Sequence, residues 1–387
     1  MLDYAIPARE YALVFATAAL ITYLITGLVR LVAVRIGAVS PIRDRDVHQV
    51  PKPRMGGVAV YLGVAAGILM AYQLPALSKA FTSSSEILGV LAAGGLICLV
   101  GVIDDRFDLD AITKLAGQIL AAGVLVLFGV QWIQVWLPSE GGGTVFVLSQ
   151  IQGLLVTVLI TLVLTNAMNF IDGLDGLLAG VATISAAGVF TFSMYQLVAT
   201  QDDSAASQAP LIAAVLMGAC LGFLPHNFYP ARIFLGDSGS MFIGLTMAAA
   251  IVSAGGKLDP SVSTFGPRGT IALLAPLIVV VAVVFIPVLD FLLALIRRTK
   301  EGRHPFSADK QHLHHRMLNI GHTHRQAVLI FYLWALVLTG TAVSLAFLSW
   351  QVAVIPALIG VAVALMFSLW PRIRARRLTR RRVEETV

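Results

Sequence analysis

Five polar clusters interrupt an otherwise apolar chain of 387 residues, and three of them are built around carboxylates. The densest runs from Asn166 to Gly176, with Asn169, Asp172 and Asp175 at a spacing of three and glycines at 173 and 176. That spacing places the three polar residues on one helical face, or the glycines bend the backbone. Either way, several oxygen ligands converge. A second cluster, Asp104-Asp105-Arg106-Phe107-Asp108, precedes Lys114 and Gln118. Adjacent carboxylates at the end of an apolar span are costly unless they are paired or bound to a cation. Acids with a nearby lysine suit Mg2+–phosphate chemistry. The third cluster, Gly236-Asp237-Ser238-Gly239-Ser240, opens an apolar segment. Backbone N–H groups and the positive end of a helix dipole favour an anion there. Asp237 could instead cap the helix or bind a cation. Upstream stand Asn227 and Phe234; Phe234 is an aromatic fit to stack on a base or to anchor at a membrane interface.

The other two clusters are basic. Pro41–His48 leads into Pro51-Lys52-Pro53-Arg54-Met55-Gly56-Gly57, whose prolines forbid helix and whose glycines allow close approach. Lys and Arg there suit phosphate. Anchoring on the positive membrane face explains the charge alone, but not His48 or the Pro-x-Pro-Arg-x-Gly-Gly pattern. The last cluster, Arg297–Arg325, holds Arg303, His312, His314, His315, His322 and His324. His-x-His-His is a Zn2+ pattern in some settings. With no cysteine near and Arg316 adjacent, phosphate contact or sugar positioning is the better reading.

The elements that must position these clusters are membrane helices. The chain is 58% hydrophobic and 12% charged, with mean hydropathy +0.86; soluble domains carry about 25% charged residues. A span needs about 20 apolar residues, which gives eleven segments: 10–34, 56–73, 86–103, 114–130, 150–167, 176–198, 210–225, 238–254, 270–296, 326–348 and 352–370. Backbone groups in lipid must be satisfied within a segment, so these are helices. The first is too long for a signal peptide core and is expected to be retained. Four of the 27 basic residues (Arg9, Lys79, Lys257 and Arg268) fall on one side of the resulting topology, and the rest lie on or near the other. Basic residues favour the cytosolic side. The expected architecture is therefore an all-α polytopic membrane protein of about eleven transmembrane helices. Its N-terminus is outside, its C-terminus cytosolic and its active site on the cytosolic face. Residues 1–371 form one domain and 372–387 a basic cytosolic tail. Cys98 and Cys220 lie in apolar runs and imply no disulfide framework. Residues 131–150, with Trp132, Trp136 and a triple glycine, suit an interfacial helix or hairpin.

A transporter would line a pathway with polar residues, but here the motifs sit on one face and none lies mid-membrane. A scaffold leaves the acidic motifs unexplained. Together the five motifs, in order on one membrane face, resemble the polyprenyl-phosphate N-acetylhexosamine-1-phosphate transferase superfamily, glycosyltransferase family 4. The likeness covers nearly the whole chain. His312-Leu-His314-His315 after Asp309-Lys310 is similar to the bacterial branch that transfers GlcNAc-1-phosphate, and differs from the triple histidine of the phospho-MurNAc-pentapeptide transferases. The Asp-Gly-x-x-Ala-Arg pattern of CDP-alcohol phosphotransferases is absent.

The resemblance implies roles for individual residues. Asn169 and Asp237 match metal positions, and Asp104 and Asp105 the catalytic acidic pair. Asp172 and Asp175 match further site carboxylates, Asp175 on the uracil side. Asn227 and Phe234 match nucleotide contacts and Lys114 the phosphate region. His312, His314 and His315, with Arg303, match a loop closing over sugar and diphosphate. His48 and Arg54 are further substrate-binding candidates. The implied cofactor is Mg2+, with Mn2+ an alternative. The implied partners are UDP-GlcNAc and a polyprenyl phosphate in the inner leaflet of the plasma membrane. Nucleic acid has no expected part, and a homodimer is compatible with the sequence.

Overall fold

The computed structural model of the chain describes residues 7–40, 51–137, 144–199, 208–256, 285, 296, 299, 300, 302 and 317–384. In order, α1 is Ala8–Arg35, β1 Val39–Ser40, β2 Lys52–Pro53, α2 Gly56–Gln73 and α3 Lys79–Thr82. Then come α4 Glu86–Phe107, α5 Ala111–Leu127, β3 Gln134–Leu137, β4 Thr144–Val147, α6 Gln150–Ile171 and α7 Leu177–Ala199. The chain closes with α8 Gln208–Asn227, α9 Gly236–Gly255, α10 His324–Phe347 and α11 Trp350–Glu384.

Among the described residues, nine helices (α1, α2, α4 and α6 to α11) are long and apolar enough to cross a membrane. The protein is thus helical and polytopic. The expected span 114–130 corresponds to α5, which is apolar but shorter. The expected span 270–296 lies outside the described residues except at 285 and 296. Some helix ends differ from the hydropathy boundaries. α4 runs to Phe107 rather than stopping at 103, because Asp104 and Asp105 find partners that let the last turn form. α11 continues through the basic residues after 371 as far as Glu384. Residues 131–150 form the hairpin: β3 and β4 pair antiparallel, Gln134 opposite Val147 and Leu137 opposite Thr144.

Helix α9 is the axis of the bundle. Every residue from Ser238 to Gly255 is buried, and α2, α4, α6 and α8 pack around it. Its sequence is rich in Gly, Ala, Ser and Met. Lipid tails are as apolar as side chains, so close packing of small residues is what holds membrane helices together. The approach is backbone to backbone. A Cβ on Gly57 of α2 would stand 2.1 Å from the Gly239 nitrogen, and one on Gly101 of α4 2.3 Å from the Ser238 Cα. One on Gly244 of α9 would stand 2.5 Å from the Thr165 Cα of α6. Outward faces are apolar and open: Leu20, Leu24, Leu28 and Leu31 of α1 are all exposed. In water such a stripe would be an aggregation surface; in a bilayer it costs nothing.

Candidate active site at one end of the bundle

The C-terminal ends of α4, α6 and α8 and the N-terminal ends of α5, α9 and α10 carry interacting polar residues at one end of the bundle, and the start of α2 joins them through backbone bonds. Asp237, in the first turn of α9, stands at the centre. Its Oδ2 accepts from Lys114 Nζ at 2.7 Å and its Oδ1 from Asn169 Nδ2 at 3.0 Å. Lys114 also pairs with Asp104 Oδ2 at 2.7 Å. The other Asp104 oxygen accepts the Leu109 N–H at 2.7 Å, fixing the turn from α4 into α5. Asn169 also donates to Ser240 Oγ at 2.8 Å. So Asp104, Lys114, Asn169 and Asp237, from four different helices, form one connected group.

The acidic pair divides its work. Asp104 faces Lys114, whereas Asp105 is buried against the start of α9. It accepts from the Asp237 N–H at 2.8 Å, the Ser238 N–H at 3.2 Å and the Ser238 Oγ at 2.7 Å. These are orphan groups that a helix N-terminus leaves unpaired, and a carboxylate there also opposes the dipole. Capping by Asp237 itself is therefore corrected: the N-cap position is Leu235, without a side-chain cap bond, and Asp105 serves from another helix. Gly236 makes the approach feasible. Its φ is +71°, and a Cβ there would lie 2.4 Å from an Asp105 oxygen.

The Asn166–Gly176 stretch does bend. α6 ends at Ile171, Asp172 is its C-cap, and Gly176 has φ +81°. Asn169 thus belongs to the last helical turn and Asp175 to the following turn. Asp175 is buried. Its Oδ2 accepts from Lys52 Nζ at 3.2 Å and from the Ala231 N–H at 2.8 Å. Its own N–H donates to His324 Nε2 at 3.1 Å, and that imidazole stacks on Tyr229 with centroids 4.4 Å apart. Lys52 Nζ lies 5.2 Å from the Phe234 ring centroid, so the aromatic and the second carboxylate share one cation. Asn227 is buried and bound at both ends, its Oδ1 accepting from the Gly176 N–H and its Nδ2 donating to the Ile233 carbonyl. In this arrangement it ties two loops together rather than offering an open amide. Arg54 donates to Ser40 Oγ at 3.1 Å and stands 3.9 Å from Asp108.

Asp172 accounts for the electrostatics of the site. Burial, reinforced by the carboxylates of Asp237, Asp105 and Asp175, pushes its carboxyl up to about 8, with Arg54 pulling the other way. Negative charge is thus in excess, which is what a hard cation relieves. Among the described residues no three of His, Cys, Asp and Glu are grouped as ligands of one ion. Mg2+ takes one or two protein carboxylates and completes its shell with phosphate and water. A carboxyl held up in the folded state binds its proton more tightly there than in the unfolded chain. Its contribution to stability is therefore lost as pH rises from the ordinary carboxylate range toward about 8. In chelator-treated detergent solution, the wild-type melting midpoint is expected to fall by a few degrees, roughly 2–4 °C, between pH 6 and pH 9 relative to Asp172→Asn. Equal slopes in the two proteins would contradict the buried-charge reading.

The sequence reading did not assign Lys52, Ser238, Ser240, Tyr229 or His324 to the site. Lys52 and the two serines stood inside motifs that flagged their neighbours. His324 is 149 residues from Asp175, and no spacing rule joins them. His48, Arg303, His312, His314 and His315 lie outside the described residues.

The family model for glycosyl transferase family 4 matches residues 87–255, which run from α4 to the end of α9. The chain is 50% identical to the decaprenyl-phosphate N-acetylglucosaminephosphotransferase of Mycolicibacterium smegmatis, over 95% of this chain and 90% of that protein. It is 52% identical to the Mycobacterium tuberculosis protein of the same name, over 88% and 84%. A probable undecaprenyl-phosphate N-acetylglucosaminyl 1-phosphate transferase of Bacillus subtilis is 32% identical, over 86% and 84%. The chain belongs to glycosyl transferase family 4, in its polyprenyl-phosphate N-acetylglucosamine-1-phosphate transferase branch.

Proposed function

We propose that this membrane enzyme transfers GlcNAc-1-phosphate from UDP-GlcNAc to a polyprenyl phosphate, giving polyprenyl-diphosphate-GlcNAc and UMP. This is the first membrane step in assembling a cell-surface glycan. The observation that carries the reading is the convergence of Asp104, Lys114, Asn169 and Asp237 from four helices, in a chain half identical to a transferase of that name. The higher identity to the decaprenyl enzymes than to the undecaprenyl one favours a decaprenyl acceptor. The basic-residue asymmetry supports a plasma-membrane topology of eleven spans with this site on the cytosolic face.

Phosphoryl transfer is mainly positioning and charge neutralisation. A lipid phosphate oxygen attacks the β-phosphorus, the one bearing the sugar, and UMP leaves. Lys114, set between Asp104 and Asp237, supplies a fixed positive charge for the diphosphate. A phosphate monoester has a second pKa of about 6, so the acceptor is already largely ionised at neutral pH. Asp104 is placed to take the remaining proton. Asp105, with its oxygens bound to the α9 terminus, positions Asp237. The Asp175, Lys52 and Phe234 group forms the uracil side, with Phe234 under the base. Mg2+, or Mn2+ in its place, would be held by Asn169 and Asp237 and would neutralise charge on the phosphates. His312, His314 and His315, with Arg303, would close over the sugar; His48 and Arg54 would contact phosphate.

The test is purified protein with Mg2+, decaprenyl phosphate, and either UDP-GlcNAc or UDP-MurNAc-pentapeptide. UMP is expected with the first donor only. Release with the pentapeptide donor alone would move the chain to the other branch, and release with neither would sink the reading. UMP formed from UDP-GlcNAc without lipid would point to a covalent aspartyl intermediate in place of direct attack.

A further inference from the structure

Beneath the site lies a second polar layer built by three of the same helices. Asn166 of α6 donates its Nδ2 to Gln118 Oε1 of α5 at 2.8 Å and to the Leu162 carbonyl at 2.8 Å. Gln118 Nε2 returns toward Asn166 Oδ1 at 3.5 Å and toward Met241 Sδ of α9 at 3.6 Å. The carbonyl of Leu162 requires an amide nitrogen facing it, which fixes the orientation of the Asn166 amide. Each member lies one helical turn from a residue of the site. Gln118 is four positions after Lys114, Asn166 three before Asn169, and Met241 four after Asp237.

We propose that the reciprocal Gln118–Asn166 amide pair is a positioning device that sets the register of α5 against α6 and α9, so that Lys114 and Asn169 meet at Asp237. Helix α5 needs such a device. Its buried residues are Gln118, Ala121, Ala122 and Leu125, a face with a single large apolar side chain that grips weakly. In apolar surroundings an amide left without a partner costs about 1–3 kcal/mol. Sliding or rotating α5 breaks both amides at once, whereas apolar contacts alone would tolerate the shift. The pair contacts no reacting group in the mechanism above. It acts through Lys114 and Asn169, and so rests on the function proposed for them.

Leucine is near in size to both amides and separates positioning from stability. Gln118→Leu leaves the half-buried Asn166 amide with only the Leu162 carbonyl, and Asn166→Leu leaves the buried Gln118 amide with only Met241, so stability and turnover fall in both. Replacing both together removes both under-satisfied amides, which restores stability to near the wild type. Turnover is nevertheless expected to stay about 30-fold or more below wild type, since a misplacement of about 1 Å costs on the order of a hundredfold. A stable double variant within threefold of wild-type turnover would overturn the proposal. Should the double leucine variant not fold, the exchange Gln118→Asn with Asn166→Gln decides. It rebuilds the pair with one methylene moved across, and is expected to exceed either single change in turnover by about tenfold. A folded exchange variant no better than the single changes would equally overturn it. Wild-type UMP release is the control for the reaction itself. If it were absent, the Mn2+ concentration that half-protects each variant from thermal unfolding in the presence of UDP would judge the pair independently. A rise of about fivefold or more in the stable double variant would support the pair and an unchanged value would overturn it; in a folded exchange variant, a return toward the wild-type value would support it and a value no better than the singles would overturn it.

Discussion

Asp237→Ala is expected to lower the transfer rate by roughly a thousandfold or more, with a melting midpoint close to the wild type. Two facts combine here. The Asp237 side chain is the junction of the site, meeting Lys114 at 2.7 Å and Asn169 at 3.0 Å. Its contribution to the helix start comes from the backbone, whose N–H goes to Asp105 and survives the substitution. Lys114 keeps Asp104 as a partner, so no buried cation is abandoned. UMP release alongside a thermal melt checks the pair of expectations. An Asp237→Ala protein with full activity would refute its role at the phosphates. One that fails to fold would show that its side chain, and not its amide, holds α9.

Gly57→Ala and Gly101→Ala are expected to be among the most damaging single methyl additions within the described residues. The new Cβ would meet α9 backbone at 2.1 Å and 2.3 Å respectively, and backbone cannot rotate away as a side chain does. Ordinary overpacking costs about 1–3 kcal/mol; here α2 or α4 must move off the helix that carries Asp237. Turnover should therefore fall about a hundredfold or more, the cost of displacing a catalytic group by about 1 Å. Gly27→Ala is the control. It lies in α1 with nothing within 4 Å of its would-be Cβ, and Ala is the better helix former by about 1 kcal/mol. Its expected effect is neutral to slightly stabilising. Detergent melts and turnover of the three proteins side by side would show it. Wild-type behaviour in Gly57→Ala would mean that α2 and α9 are further apart than described.

Much of this was legible in the sequence because membrane proteins segregate their chemistry. In a chain 12% charged, a carboxylate beside an apolar run stands out, and Asp104, Asp172, Asp175 and Asp237 were all found that way. Spans were legible from length and hydropathy, as α1 and α2 illustrate within a few residues. What hydropathy missed was the physics of pairing. It ended α4 at 103, yet Asp104 and Asp105 are helical because Leu109, Lys114 and the start of α9 satisfy them. The resemblance gave Asp104-Asp105 one shared role, yet adjacent residues on a helix point about 100° apart and so meet different partners. Asn227 illustrates the converse: a polar residue in a motif whose amide turns inward to hold loops. His324 was counted among the loop histidines, and only three-dimensional proximity links it to Asp175.

The most direct measurement follows the phosphorus. UDP-GlcNAc labelled at its β-phosphate is incubated with the purified protein, Mg2+ and decaprenyl phosphate, and the label is partitioned between water and the lipid phase. Transfer of GlcNAc-1-phosphate carries the label into the lipid and leaves unlabelled UMP in water, in amounts that rise together. Label remaining in water as UDP, with GlcNAc alone in the lipid, would contradict sugar-1-phosphate transfer at the Asp104, Lys114, Asn169 and Asp237 site.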